Sequence, residues 1–157
     1  TMMPRQRFLK AQDPVYADVL AQLHAGKKIS HWMWFIFPQL KELGRSATAQ
    51  FYGIASNAEA QEYVRHPILG MRLKQCSQIV LEHRHKTAHE FFGSPDDMKL
   101  RSCMTLFALA APGERVFTEV LDTFDPGDPD LRTQEIWART AAPRSLQNGP
   151  DTKMNRQ

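Results

Sequence analysis

The sequence predicts an all-α protein: a single compact domain of seven or eight helices around a central apolar helix that runs from about Met98 to Ala111. Three observations lead to this prediction. Apolar residues recur in several segments at the three- and four-residue spacing of a helix face. Serine, threonine and proline stand where helices begin. No segment alternates apolar and polar residues long enough to predict a strand, and 157 residues suffice for one domain with a sizeable core.

Helix signals begin near the start of the chain. Asp13 followed by Pro14 predicts a capped helix start, and Gly26 predicts its end. The apolar residues between them share one helix face: Tyr16, Val19, Leu20 and Leu23. Ser30 is the predicted cap of a second, short helix through the aromatic residues that follow. Pro38 is expected to end that helix, because proline lacks the amide that a helix interior needs.

Three helices are predicted in the middle of the chain. Ser46 caps a helix that Gly53 closes. The segment Ser56 to Glu59 has the pattern of a capping box, in which the serine oxygen accepts one free amide and the glutamate reaches back to the serine amide. Pro67 permits a further start. An apolar stripe at helical spacing then follows: Leu69, Leu73, Cys76 and Val80.

The central helix has the clearest start signal in the sequence. The segment Thr87 to Glu90 predicts a short capped element that ends at Gly93. "SPDD", Ser94 to Asp97, then offers a serine cap, a proline at the first helical position, and two acids against the positive end of the helix dipole. The helix that follows is polar first and nearly all apolar later, which is typical of a helix surrounded by others.

Two predicted helices complete the domain, and a polar tail follows. Apolar spacing indicates an amphipathic helix built on Val116, Phe117, Val120, Leu121 and Phe124. "DPGDPD", Asp125 to Asp130, predicts a turn. A last short helix is predicted from Leu131 to Trp137. The domain therefore spans residues 1–137, and residues 138–157 form a polar, basic tail that we expect to be disordered.

Composition excludes several classes of protein. The formal net charge is +3, and all of it comes from the tail, so the body is formally neutral. A neutral body argues against a nucleic-acid-binding surface, which needs clustered lysine and arginine. Cys76 and Cys103 lie in apolar helical patterns and are expected to be buried free thiols, with a disulfide between them as the less favoured alternative. No stretch is long or apolar enough for a signal peptide or a membrane span, so we expect a soluble cytoplasmic protein.

Several blocks of sequence resemble a bacterial all-α domain-of-unknown-function family, numbered 1810 and once misnamed calpastatin. The resemblance extends from about Phe8 to Phe124. Cys103 is a departure, because a small hydroxyl residue is more usual there. The resemblance implies a compact helical domain and no activity. The matching blocks are His31 to Phe35, Phe37 to Gln39, Leu43 and Gly44, Phe51 to Ile54, His66 and Pro67, Leu69 and Gly70, Arg72 and Leu73, Phe92 and Gly93, Pro95 to Asp97, Lys99 and Leu100, and Met104 to Phe107.

The stretch "SHWMWFIFPQL", Ser30 to Leu40, has two interpretations. In the first it is core, since aromatic clusters are commonly buried and buried polar edges find partners. In the second it forms an aromatic pocket, with His31 and Gln39 supplying the few convergent polar groups that a ligand site needs. Residue frequencies favour the core.

On the pocket interpretation, side chains from three parts of the sequence meet a ligand. His31 and Asp97 are the candidate catalytic residues, His31 as an acid, base or hydrogen-bonding group because histidine titrates near neutral pH. The tryptophans would stack on the ligand, and an arginine or lysine would contact an anion. The predicted ligand-binding residues are Trp32, Trp34, Gln39, Arg45, Tyr52 and Lys99.

The start of the central helix also has a structural and a functional interpretation. Structurally, Asp96 and Asp97 stabilise the helix start, and Asp97 pairs with Arg101 one turn later. Functionally, Asp97, Lys99, Arg101 or Ser102 lies at the mouth of the pocket. Polar strips on central helices are hydrogen-bonded for structure more often than for catalysis, so the structural interpretation is favoured.

Weaker signals lie elsewhere. Gly44, Arg45 and Ser46 at a predicted helix start could hold an anion such as phosphate, but one glycine and one arginine are weak evidence, and a tight turn with a capped helix is the structural alternative. His85 and His89 have the interval of a metal pair, but a helix start at Thr87 separates them, so no metal site and no cofactor is expected.

The sequence favours a small-ligand-binding domain. If the ligand, a nucleotide or sugar-like compound, is turned over, the domain is an enzyme. The alternative is a non-catalytic protein-interaction module whose aromatic stretch is core. The sequence does not give the oligomeric state.

Overall fold

The computed structural model describes residues 5–141, and it confirms the all-α class. These residues form ten helices rather than seven or eight, because a helix not expected from the sequence precedes Asp13 and several helices are very short. The helices are α1 (Gln6–Gln12), α2 (Tyr16–Ala25), α3 (Met33–Ile36), α4 (Ala47–Tyr52), α5 (Asn57–Arg65), α6 (Leu69–Leu81), α7 (Ala88–Phe92), α8 (Asp96–Ala110), α9 (Arg115–Phe124) and α10 (Leu131–Ala141), with a 3-10 turn at Lys41–Leu43.

Helix α8 is central, as the sequence predicts. It packs against α5, α7, α9 and α10, and most of its apolar second half is buried, with Ala108 and Leu109 partly exposed. Leu100, Cys103, Met104, Leu106 and Phe107 are almost completely buried. Because most of this segment's surface meets other helices, it needs no polar stripe.

Three of the predicted helix caps are present. The Ser46 hydroxyl accepts a hydrogen bond from Ala49 N at the start of α4, and the Ser56 hydroxyl accepts one from Glu59 N at the start of α5. Thr87 forms a complete capping box at α7. At α5 the return bond differs from the prediction, since the Glu59 carboxylate accepts from Ala55 N and not from the serine amide. Serine and threonine caps are local signals, and tertiary packing leaves them unchanged here.

Two predicted caps were wrong. Helix α1 runs up to Asp13, whose backbone is helical and whose amide donates to Leu9 O at 2.9 Å, so Asp13 ends one helix instead of starting the next. Helix α2 begins at Tyr16, after Val15 rather than Asp13. The Asp13 carboxylate lies 2.8 Å from the Arg72 guanidinium of α6. Helix α3 begins at Met33, and the Ser30 hydroxyl accepts a hydrogen bond from the Gln22 side chain of α2 at 2.7 Å.

The predicted start of α8 also needs correction. Pro95, rather than Ser94, precedes the first helical residue, Asp96, and no side-chain cap bond forms there. The two acids still lie in the first turn, where the helix dipole favours a negative charge.

Both cysteines are free and buried. Burial raises the pKa of the Cys76 thiol to about 12 and raises the pKa of Cys103 as well, because a thiolate is poorly solvated in an apolar interior. Both side chains therefore act as small apolar groups in the core.

The last helix extends further than its sequence pattern indicates. Helix α10 continues from the predicted end at Trp137 to Ala141, and the rest of the tail, for which we expect disorder, lies outside the described residues. Within residues 5–141, no helix combines the length and the apolar character that crossing a membrane requires.

Candidate functional site

A cavity of about 380 Å³ opens where α3, the segment that leads into α4, and the first turns of α8 and α10 meet. It collects polar side chains from parts of the chain that are far apart in sequence. Such a concave site with a few convergent polar groups is the usual form of a small-ligand site. The lining residues are Trp34, Gln39, Leu43, Gly44, Arg45, Ser46, Ala49, Pro95, Met98, Lys99, Ser102, Asp130 and Arg132.

Backbone hydrogen bonds fix one wall of this cavity. The Gln39 carbonyl oxygen accepts a hydrogen bond from Ile54 N at 2.9 Å, and the Ile54 carbonyl oxygen accepts one from Lys41 N at 2.8 Å. The Gln50 side chain donates to Gly44 O at 2.6 Å. These bonds hold the segment between α3 and α4 in place, so the side chains on it project from a fixed backbone.

A charged cluster at the edge of the cavity holds Lys99. Its ammonium lies 3.0 Å from one carboxylate oxygen of Asp96 and 3.9 Å from the centroid of the Trp34 ring. The second carboxylate oxygen of Asp96 lies 2.7 Å from the ammonium of Lys28. Lys28 in turn lies over the ring of Trp32, 5.3 Å from its centroid. The Lys28 side chain is only 7% exposed, and those of Asp96 and Lys99 are each 17% exposed.

The Asp96 carboxylate is stabilised in its charged form. Burial by itself opposes ionisation, but hydrogen bonds and charges from Lys28 and Lys99 outweigh that effect and hold the pKa of Asp96 below its ordinary value. Asp96 therefore carries a full negative charge at neutral pH, and each of the two ammonium groups has a fixed partner.

Other polar groups around the cavity have no partner in the part of the chain that the structure describes. The side chains of Gln39, Arg45, Ser102 and Arg132 make no hydrogen bond or ion pair with any residue in 5–141. Asp130 is different, because its carboxylate accepts hydrogen bonds from the amide and hydroxyl of Thr133 and caps α10. The charge that faces the cavity is therefore predominantly positive.

The structure brings together four of the predicted site residues. Trp34, Gln39, Arg45 and Lys99 all line this cavity. They come from α3, from the segment after it, and from α8. Trp34 was expected to stack on a ligand, but Lys99 lies over its ring.

His31 and Trp32 lie elsewhere. His31 is exposed, does not line the cavity and makes no hydrogen bond with the described residues. Trp32 is 2% exposed, and its indole nitrogen donates to the Gln22 side-chain oxygen at 2.8 Å. Its ring meets Phe37 and Phe92. The stretch from Ser30 to Leu40 is thus mainly core, with Trp34 and Gln39 at its cavity side.

Tyr52 and Asp97 also lie outside this cavity. Tyr52 packs against the rings of Phe8, Phe35 and Phe51. Asp97 accepts a hydrogen bond from Met98 N and lies 3.5 Å from the His89 imidazole.

The predicted pair of Asp97 with Arg101 is wrong. The Arg101 guanidinium instead lies 2.8 Å from the carboxylate of Asp128. That carboxylate belongs to the turn before α10, which packs back onto α8. A partner from a distant turn thus replaces the one that helical spacing alone indicates.

Sequence reasoning missed Lys28, Asp130 and Arg132 as members of this site, and it assigned Asp96 only to the helix start. The pattern before α10, an aspartate followed by threonine three residues later, indicates a helix cap but not what lies opposite it. Only the packing of α10 on α8 brings Arg132 to the cavity.

Larger hollows also occur in residues 5–141, but none of them has two unpaired arginines. One, of about 470 Å³, is lined by Arg84, whose Nε donates to Leu81 O, and by Glu82 and Glu119. In one of about 520 Å³, Arg7 is already bonded to the carbonyls of Phe51 and Gly53 and to the Glu59 carboxylate. Another, of about 670 Å³ beside Trp137, has no charged side chain among its described lining residues. Within residues 5–141, no cluster of three metal-binding side chains occurs.

The fold and the cavity define a small all-α domain with an open, positively charged hollow. The chain belongs to the family described as "Protein of unknown function (DUF1810)", whose model matches residues 3–137. This confirms the resemblance seen in the sequence. The comparison with curated proteins found no match.

A solved structure supports the same assignment. The conserved hypothetical protein Rv1873 from Mycobacterium tuberculosis, which has a crystal structure, is 47% identical in sequence to this chain. The two structures match with a TM-score of 0.83. The match covers 85% of this chain and 95% of that chain. Neither comparison assigns an activity.

Proposed function

We propose that this protein binds a small phosphorylated compound, of the nucleotide or sugar-phosphate kind, in the cavity between α3, α4, α8 and α10. One observation carries the proposal: Arg45, Lys99 and Arg132 border one hollow, and neither arginine has a partner among residues 5–141. Guanidinium groups match the geometry of phosphate oxygens and bind them with paired hydrogen bonds.

The remaining lining supports a ligand larger than a bare ion. Gln39 and Ser102 offer an amide and a hydroxyl, which suit the hydroxyl or amino groups of a metabolite. Leu43, Pro95 and Met98 add apolar surface beside them. A volume of about 380 Å³ lies within the range of small-ligand sites, roughly 300–1,000 Å³.

A thermal-shift assay with inorganic phosphate, a nucleoside monophosphate and a hexose phosphate tests this proposal. A ligand at one hundred times its dissociation constant adds about 2.7 kcal/mol to the free energy of unfolding. For a chain of this size we expect the melting temperature to rise by about 5–10 °C. Arg45→Gln and Arg132→Gln are each expected to weaken binding about tenfold or more, because each loses a charge-assisted contact.

Arg115→Gln is the matched control, since Arg115 is exposed on α9 and does not line the cavity. It removes the same charge and should keep the full shift. Equal shifts of the melting temperature in Arg45→Gln, Arg132→Gln and Arg115→Gln would mean that the ligand binds outside this cavity. If no phosphorylated compound shifts the wild-type protein, the proposal fails, and the interaction-module hypothesis becomes the better one. Any hit is then assayed for turnover.

A further inference from the structure

We infer that Lys28, which does not line the cavity, keeps the cavity positive by sharing the Asp96 carboxylate with Lys99. This inference rests on the proposed function, because it assigns a positioning residue to the same anion site. Lys28 is nearly buried and lies outside the cavity lining, so its contribution is not visible from the lining residues alone.

The charges of the cluster carry the argument. If Asp96 paired with Lys99 alone, the two charges would cancel and Lys99 would offer little attraction to an anion. With Lys28 on the other carboxylate oxygen, at 2.7 Å, the cluster of three side chains has a net charge of one positive unit. Lys99 is the member that faces the cavity, so the excess charge acts there.

The fold holds Lys28 firmly in this position. Its backbone amide donates to Phe91 O at 2.9 Å, which ties the segment after α2 to α7. Its ammonium lies over the Trp32 ring, and its side chain is 7% exposed. Burying a charged group is costly unless it is paired, so packing alone gives no reason for a lysine at this position. A fixed, desolvated lysine instead acts on its neighbours through a weakly screened field.

A charged-reagent assay measures the potential at the cavity without any ligand. Met98 lines the cavity and is 55% exposed, so Met98→Cys places a reactive thiol there, while Cys76 and Cys103 are buried. The readout is the ratio of the reaction rates with an anionic and a cationic methanethiosulfonate, sulfonatoethyl against trimethylammonioethyl. The parent protein without Met98→Cys gives the background rate.

We expect Lys28→Met in the Met98→Cys protein to lower this ratio about threefold or more, since the cluster beside the cavity loses its net positive charge. The double variant Lys28→Met with Asp96→Asn removes one charge of each sign and should return the ratio to that of the Met98→Cys parent. Lys28→Arg should leave it unchanged. A purely structural role for Lys28 predicts instead that the rate ratio in Lys28→Met equals that of the Met98→Cys parent, and this result would overturn the inference.

A second arm, the affinity for inorganic phosphate, a nucleoside monophosphate and a hexose phosphate, separates this inference from the proposed function. If the rate ratio follows the charges but none of these compounds binds the wild-type protein, the proposed function fails and the role of Lys28 in the cavity potential stands. If phosphate binds but the ratio is the same in the Met98→Cys parent and its Lys28→Met variant, the inference about Lys28 is overturned. Circular dichroism of each variant shows that it is folded.

Discussion

Replacing Gly70 by alanine is expected to destabilise the protein by about 3 kcal/mol. Gly70 lies in the first turn of α6, where α6 crosses the end of α5. A Cβ atom there would lie 2.1 Å from the carbonyl oxygen of Val64 and 2.8 Å from its carbonyl carbon. Both are backbone atoms of α5, so the clash can be relieved only by moving one helix. Alanine is the better helix former by about 1 kcal/mol, which is too little to offset the overlap.

Denaturant unfolding of Gly70→Ala beside Gly113→Ala measures this effect. Nothing lies within 4 Å of the Cβ position at Gly113, so the control should be neutral or slightly stabilising. Similar free energies of unfolding for the two variants would mean that α5 and α6 do not approach as closely as described.

Trp32→Ala is expected to cost about 3–5 kcal/mol, the usual range for removing a buried aromatic side chain. Trp32 is 2% exposed and contacts Phe37 and Phe92 at the centre of the aromatic stretch. In the variant, the Gln22 side-chain oxygen that accepts from the Trp32 indole still accepts hydrogen bonds from the backbone amides of residues 29 and 30. The cost therefore comes mainly from lost apolar contacts and an unfilled space.

His31→Ala, one residue earlier, is the matched control for Trp32→Ala. His31 is exposed and unbonded within the described residues, so its replacement should change the free energy of unfolding by no more than about 0.5 kcal/mol. It should also leave ligand binding unchanged. A large loss of stability in His31→Ala, or no loss in Trp32→Ala, would contradict the placement of these two neighbours.

The features predicted correctly from the sequence are those that neighbouring residues decide. Ser46, Ser56 and Thr87 cap helices because a hydroxyl beside a helix start meets amides three residues away, whatever the fold. The central helix α8 could be predicted because its second half is nearly all apolar, and such a segment has to be enclosed by other helices.

The features that failed depend on contacts between distant parts of the chain. Asp13 closes α1, a helix that the sequence analysis did not predict, and its carboxylate pairs with Arg72 of α6. Ser30 lies three residues before the start of α3, and its amide and hydroxyl both bond to the Gln22 side chain of α2. Local spacing contains no information about either partner, so the pattern alone cannot exclude them.

The candidate site divides in the same way. Trp34, Gln39 and Arg45 lie within twelve residues of one another in the sequence, and an aromatic stretch beside a helix start indicated them together. Which side chains of that stretch face the cavity depends on how α3 packs, and this excluded His31 and Trp32. Arg132 belongs to the last helix, and only the approach of α10 to α8 brings it to the site.

An NMR titration of ¹⁵N-labelled protein with a hexose phosphate and with inorganic phosphate, followed through the indole signals, tests most directly whether the cavity binds an anion. The chain has three tryptophans, and Trp34 lines the cavity while Trp32 and Trp137 do not. We predict a saturable shift of the Trp34 indole signal that Arg132→Gln weakens, with the other two indole signals unchanged. A Trp34 signal that stays fixed at every ligand concentration, or a shift confined to Trp137, would contradict an anion site at this cavity.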